Sequence, residues 1–404
     1  MLSRLHGAGY SAYLVGGCVR DLLLGTTPKD FDVATNAHPE QVKAVFRNCR
    51  LIGRRFRLAH IHFGREVIEV ATFRAPHNGD DAGVQHDDGR ILYDNVYGSE
   101  VEDAWRRDFT VNALYYDISD LSVRDHVGGI QDIESRTLRM IGEPASRYRE
   151  DPVRMLRALR FGAKLGFNLE PATALPIMEL GAMLEQIPPS RLFDEVLKLF
   201  HSAAGVEAFN LLRSYDLLRY LFPLTNQILK QGTAGPAEAL LLASLANTDA
   251  RIKEGKPVNP AFLFAAALWG PMLAELRGGE GGLPQHQAIH IATERVLAKQ
   301  QQHVSLPRRF AVMMTEIWQL QSRFSLRSGK RPARLLEHPR FRAAYDFMLL
   351  RAAIGEETQE LADWWTEFQE CEPTQQHRLL KKREGPAKKR RRRPRSSTAK
   401  AVEA

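Results

Sequence analysis

"LVGGCVRDLLLGTTPKDFDVAT", residues 14–35, decides the fold. A short apolar run ends in Gly16-Gly17, a helical stretch follows, and a second short run carries Asp30 and Asp32. Residues at i and i+2 on a strand share a face, so the two acids are expected side by side, with Phe31 and Val33 turned to the core. Two carboxylates so placed repel unless a divalent cation lies between them. Hard oxygen donors suit Mg²⁺, which also takes oxygens from substrate phosphates. Gly16-Gly17 lets backbone N–H groups approach a ligand closely. The helix opening near Cys18 adds its positive end, and Arg20 adds a fork for phosphate. Alone, Asp-x-Asp also fits an ordinary strand end. Turn, arginine and acids together point to a metal–nucleotide site.

Three stretches downstream add candidates. "EVIEVATFR" (66–74) sets Glu69 mid-strand between Ile68 and Val70, a third acid if its strand neighbours that of Asp30. "RRDFTVNALYY" (106–116) sets Asp108 before a helical run, as an N-cap or as a third acid. Arg106 and Arg107 there either pair with acids or clamp a triphosphate. "REDPVRMLRALRF" (149–161) opens a helix with Asp151 as N-cap and Pro152 at N1. Arg154, Arg157 and Arg160 then recur every three residues, near one face. Such a stripe is either a salt-bridged solvent face or part of a base reader. In a reader, the Asp accepts from an exocyclic amine and the Arg donates to a ring nitrogen. His60 and His62 alternate with Ile61 and Phe63 and have no third nitrogen or sulfur ligand at useful spacing. A solvent-facing strand is expected there rather than a metal site.

Composition bounds the class. With 404 residues, 44% of them hydrophobic and 26% charged, the chain reads as globular, with two to four packed units. The longest apolar runs, "EALLLASLA" and "AFLFAAALWGPML", fall short of the roughly 20 residues of a bilayer span. The first residues show no apolar stretch ending in a small-residue cleavage site. Cys18, Cys49 and Cys371 are far apart and form no CxxC, so no disulfide framework is expected and a reducing cytoplasm fits. The net charge of +8 is concentrated in "KKREGPAKKRRRRPR" (381–395), which carries +9 and leaves −1 for the rest. Such a run is expected to be disordered alone, as a polyanion binder or a solubilising end.

Strand patterns ("SAYLVGG", "DFDVAT", "LAHIHFGREVIEVATFR", "TLRMIG") mix with the helical "CVRDLLLG" and "HPEQVKAVFRNC" over roughly the first 140 residues. "APHNGDDAGVQHDDGRILYDN" (75–95) reads as a loop. From about 145 to 365 strand signals vanish and apolar residues recur at i, i+3, i+4, i+7. The fold class is therefore α+β followed by all-α, without a fixed-period repeat.

Five motifs in this order, LVGGxVRDxLLGxxxxDxD, EVATFR, RRDFTxNALYY, HVGGxxDI and EDPxRMLRAxRF, resemble the class II nucleotidyltransferase superfamily. That group holds the tRNA CCA-adding enzymes and the bacterial poly(A) polymerases. "LIGRRFRLAHI" (51–61) and the arginine-rich tail are similar to the polymerase branch. The resemblance implies a nucleotidyltransferase head with a small mixed sheet at 1–143 and a helical neck with nucleotide- and RNA-binding parts at 144–225. A helical body at 226–370 and a disordered basic tail at 371–404 complete it. Relatives carry more helix before "GYSAYLVGG", so this chain is expected to begin in that helix's last turn.

For activity, the resemblance implies template-independent addition of AMP from ATP to single-stranded RNA 3′ ends with release of pyrophosphate. It further implies a cytoplasmic monomer with RNA-decay proteins as partners, promoting RNA processing and decay. Two Mg²⁺ would sit on Asp30 and Asp32, with Asp108 as third catalytic acid and Glu69 its rival. Gly16, Gly17, Arg20 and Arg107 would hold the triphosphate, and Asp151, Arg154 and Arg157 would recognise adenine. RNA would touch head, neck and tail. A CCA-adding enzyme shares every head motif and is the alternative. A non-catalytic RNA-binding protein is another, against which the intact acids argue.

Overall fold

The computed structural model describes residues 1–53, 57–64, 66–75, 96–230, 235–279, 283–372, 374–376 and 379–380. Most of the expected loop at 75–95, part of "GRRF" and the basic run at 381–395 lie outside the described residues.

Seven strands form one mixed sheet: β1 (Ala12–Val15), β2 (Asp32–Thr35), β3 (Cys49–Ile52), β4 (Leu58–Phe63), β5 (Glu66–Thr72), β6 (Leu114–Asp117) and β7 (Ser122–Asp125). Their order is β3-β4-β5-β2-β1-β6-β7. Only β2 and β5 run parallel, in a register that sets Asp32 opposite Glu69. Helices α1 (Leu2–Gly7), α2 (Gly17–Leu23), α3 (Pro39–Val45), α4 (Glu100–Arg106) and α5 (Gly129–Glu134) accompany the sheet. Then come α6 (Pro144–Glu150), α7 (Val153–Leu165), α8 (Pro171–Leu180) and α9 (Pro189–Phe200). Among the described residues, helices continue from Gly205–Ser214 to Gln359–Glu370.

Several sequence expectations change here. Strand β2 begins at Asp32, so Asp30 precedes the ladder, and Phe31 is 41% exposed rather than in the core. Asp108 does not open a helical run: one 3-10 turn at Thr110–Asn112 leads straight into β6, and Phe109 occupies the cap position. Tyr115 and Tyr116, good strand formers, pair with Val15 and Leu14 of β1, and that sheet contact decides the conformation. A two-residue strand at Asn168–Leu169, too short to show a period, pairs with Thr137–Leu138 inside the region read as purely helical. Asp151 and Pro152 sit one position earlier than expected: Pro152 occupies the cap position of α7 and Asp151 ends α6, its Oδ1 still accepting from the Val153 N–H at 3.3 Å.

One face of the sheet buries Leu5, Val33, Val42, Phe46, Ile61 and Val70. The other packs Tyr13, Val15, Phe73, Ala104 and Tyr115. A larger core begins at Cys18, Val19, Phe109 and Leu114, passes through Met155, Leu156 and Leu159 of α7, and continues to Trp318 and Phe347. Near the C-terminal end, Leu379 and Leu380 lie partly buried against a cluster around Trp365 and Phe368. All three cysteines are free. Among the described residues no helix is long and apolar enough to cross a membrane.

Candidate active site

A cavity of about 370 Å³ opens at the edge of the parallel pair, lined by Asp32, Glu69, Arg74, Arg106, Arg107 and Arg154 among others. Acids and arginines thus face one space. Burial pushes the Asp32 carboxyl above the usual carboxylate range; Glu69 and Asp30 push it further, and Arg107 offsets part of this. Charge repulsion among three carboxylates is the condition a divalent cation relieves. Glu69 also meets His60 of β4, with Nε2 3.4 Å from its Oε1. His60 and His62 are both half-buried on their strand. Among the described residues no three His, Cys, Asp or Glu side chains form a ready-made metal cage. Asp32, with Asp30 and Glu69 close enough to act on it, offers the one or two carboxylates that Mg²⁺ takes before it completes its sphere with water and substrate phosphate.

The turn ahead of α2 is as tight as its glycines suggest. Gly16 sits at φ +79° and ψ −130°, where a side chain is strained, and a Cβ there would lie 3.5 Å from Arg107 Nη1. Arg20 is not the open fork expected from the sequence. It is 2% exposed, gives Nε and Nη2 to Asp21 at 2.9 and 2.6 Å, and gives Nη1 to Asn112. It braces the turn from beneath.

Arg107 does reach the cavity, held by residues that sequence reading missed. Its Nη2 donates to Asp103 Oδ2 at 2.9 Å, and its Nε to Tyr115 Oη at 3.0 Å. The Tyr115 hydroxyl donates to the same Asp103 oxygen at 2.6 Å, and Asp103 Oδ1 accepts from the Arg74 N–H at 3.2 Å. Burial would lower the Arg107 pKa, but Asp103 and Tyr115 outweigh it and hold the guanidinium charged. Helix α4 presents these groups from a firm start, with Ser99 and Glu102 forming a reciprocal capping box. The sequence Ser99-Glu100-Val101-Glu102 carried that signal. The Asp103–Tyr115 pair, twelve residues apart on different elements, had none.

Helix α7 divides its arginines. Arg154 lines the cavity, with Nη1 held by Glu150 at 2.6 Å and by the Arg147 carbonyl at 2.8 Å. Arg157 turns away from the cavity and pairs with Asp108 through Nε at 2.8 Å and through Nη2. Asp151 meets Arg191 Nη2 at 2.7 Å. Asp108 is not part of the cavity lining. Burial alone would raise its carboxyl, but Arg157, Asn112 and the Phe109 N–H outweigh that and hold it low. Asp32, Glu69, Arg107 and Arg154 therefore come together, with Asp30 at their margin. Asp108, Arg157, Arg20 and Asp151 stand around them, each in its own pair.

Residues 12–139 match the family description "Poly A polymerase head domain". Residues 166–229 match "Probable RNA and SrmB- binding site of polymerase A", and 281–397 match "Polymerase A arginine-rich C-terminus". Poly(A) polymerase I of Escherichia coli O6:H1 is 51% identical over 98% of this chain and 87% of that protein. A CCA-adding enzyme of Lactobacillus johnsonii is 36% identical, but over only 52% of this chain and 51% of its own length. The solved structure of the Bacillus stearothermophilus CCA-adding enzyme in complex with CTP has a TM-score of 0.52 at 25% identity, covering 94% of this chain and 97% of that one.

Proposed function

Because the chain belongs to the poly(A) polymerase I family, we propose that it adds AMP from ATP to RNA 3′ ends without a template, releasing pyrophosphate. The observation that carries this reading is the cavity in which Asp32 and Glu69 face Arg107 and Arg154. In sequence, the CCA-adding enzyme of Lactobacillus johnsonii matches only 52% of the chain, against 98% for the poly(A) polymerase I of Escherichia coli.

Asp30 and Asp32 would hold Mg²⁺, and Glu69, opposite Asp32 on the parallel strand, replaces Asp108 as the nearest further acid. Two such cations held there would supply acidification of the RNA 3′-hydroxyl by one and stabilisation of departing pyrophosphate by the other. Arg107 offers a fixed, permanently charged fork to the triphosphate beside the Gly16-Gly17 turn, and the Asp103–Tyr115 pair keeps it from swinging. Arg154 donates to the ring nitrogen of adenine from the start of α7, with Asp151 nearby as acceptor for the amine. ATP selection then follows from protein side chains, so no template strand is needed.

We assign 1–143 to head, 144–225 to neck, 226–370 to body and 371–404 to tail. The tail's +9 charge over 381–395 would anchor single-stranded RNA. A monomer in the cytoplasm, feeding RNA to decay proteins, completes the reading. The test is a labelled RNA primer given each NTP separately with Mg²⁺. A long ladder with ATP and little addition with CTP is expected. Addition of two C and one A to a trimmed tRNA, then a stop, would replace this reading with the CCA-adding one.

A further inference from the structure

We propose that Asp108 is a positioning residue that locks α7 to the head and so sets the base-reading Arg154 against the triphosphate arm Arg107. This rests on the function proposed above.

The side chains form one connected chain. Arg157 of α7 grips Asp108 Oδ2; Asp108 Oδ1 accepts from the Phe109 N–H at 2.9 Å and from Asn112 Nδ2 at 3.3 Å. Asn112 Oδ1 accepts from Arg20 Nη1, and Arg20 closes on Asp21 within α2. The guanidiniums of Arg20 and Arg157 both lie over the Phe161 ring, at 5.5 and 5.6 Å, and Phe161 meets Phe109 edge-on at 5.7 Å. A second clasp lies alongside: Arg147 of α6 donates through Nη2 to the carbonyls of Arg106 and Arg107 at 2.7 and 2.8 Å. Two neck arginines therefore hold three successive head residues.

The geometry ties both Asp108 oxygens into the neck–head contact rather than into the cavity. All of its hydrogen-bonding capacity on the neck side is taken up, and it is absent from the cavity lining. Its neighbour Arg107 points into the cavity, while Arg154 lies three residues, about 4.5 Å of helix rise, before Arg157. One ion pair fixes both arms. Releasing it lets α7 shift, and the distance between phosphate and base contacts becomes variable. That distance is what distinguishes a purine from a pyrimidine nucleotide in a site with no template.

The test compares Asp108→Asn, Arg157→Gln and their double variant with Asp32→Asn and the unaltered chain. Mg²⁺ binding, measured by titration calorimetry without nucleotide or RNA, should change less than twofold in Asp108→Asn and be lost in Asp32→Asn. The preference for ATP over CTP in kcat/KM should fall at least tenfold in Asp108→Asn. The double variant should be no worse than that single change. Asn112→Ala, which breaks the link without touching the cavity, should move the preference the same way and stands in if Asp108→Asn does not fold. Lost Mg²⁺ binding in Asp108→Asn, an unchanged nucleotide preference, or additive losses in the double variant would each overturn the assignment. Should the unaltered chain add no nucleotide, the proposed function fails. The pair is then judged by thermal unfolding alone: equal midpoints for Asp108→Asn and the double variant support it, and additive shifts refute it.

Discussion

Tyr115→Phe removes a single oxygen from the group that holds Arg107, and the structure sets the size of the effect. The residue is fully buried, and its ring contacts with Tyr13 and Phe73 at 6.2 and 6.4 Å survive the change. The lost hydroxyl donates to Asp103 at 2.6 Å and accepts from Arg107 Nε at 3.0 Å. Burial pushes that hydroxyl far above its usual range, so it remains a donor at every working pH. Arg107 keeps its bonds to Asp103 through Nε at 3.2 Å and Nη2 at 2.9 Å. The net loss is one charge-assisted hydrogen bond, about 1.5–3 kcal/mol. Asp103→Ala instead strips Arg107, Tyr115 and the Arg74 N–H together, costing about 3–5 kcal/mol. If half of the Tyr115 loss is felt in ATP binding, the KM for ATP rises roughly 4- to 13-fold. Hydrogen exchange across α4 and β6 measures the structural part, and steady-state rates against ATP at saturating primer measure the functional part. Unchanged protection together with an unchanged KM, or a Tyr115→Phe loss as large as that of Asp103→Ala, would refute the reasoning.

Three further outcomes are expected. The Asp32 carboxyl is raised in the folded chain, so folding takes up protons and stability falls as pH rises through and above the ordinary carboxylate range. Asp32→Asn should therefore unfold at higher urea than the parent at pH 7, a gain that disappears in acid; a loss at pH 7 would contradict it. Gly16→Ala should cost about 1–3 kcal/mol through backbone strain, since its Cβ meets only ordinary 3.5 Å contacts; unaltered urea unfolding would sink this. Truncation after Leu380 should flatten the slope of log RNA affinity against log salt by about 3 to 4 units, if four to six basic side chains engage at once. An unchanged slope would return that run to a solubilising role.

What could be read in advance was whatever depends on short-range pattern. Asp30-x-Asp32 after a glycine turn, a helix opening at the Asp151-Pro152 step and the arginine stripe all lie within single segments. What could not be read depends on which segments meet. Glu69 faces Asp32 because β2 and β5 pair in parallel although 36 residues separate the two acids in the chain, and no local spacing encodes that register. Arg20 spends two donors on the adjacent Asp21 and one on Asn112, 92 residues away, and of these only the distant partner is hidden from local pattern. Phe31 looked internal because strict alternation was assumed to start before Asp32, whereas the ladder begins at Asp32. Asp108 was drawn toward a cap or a metal by its position, and Arg157 on α7 claims it instead.

The core that runs unbroken from Val19 and Phe109 through α7 to Trp318 has a consequence for dissection and shuffling of this protein. A cut near residue 143 would not free a self-sufficient module; it would lay bare an oily seam on both halves, prone to aggregation. Exchanging catalytic portions with a CCA-adding relative faces the same seam. Carrying α6 and α7 along with the sheet would move the seam rather than remove it, because the same core continues past Gly166 through Phe167, Ile177 and Leu184, so any graft has to be repacked along that face.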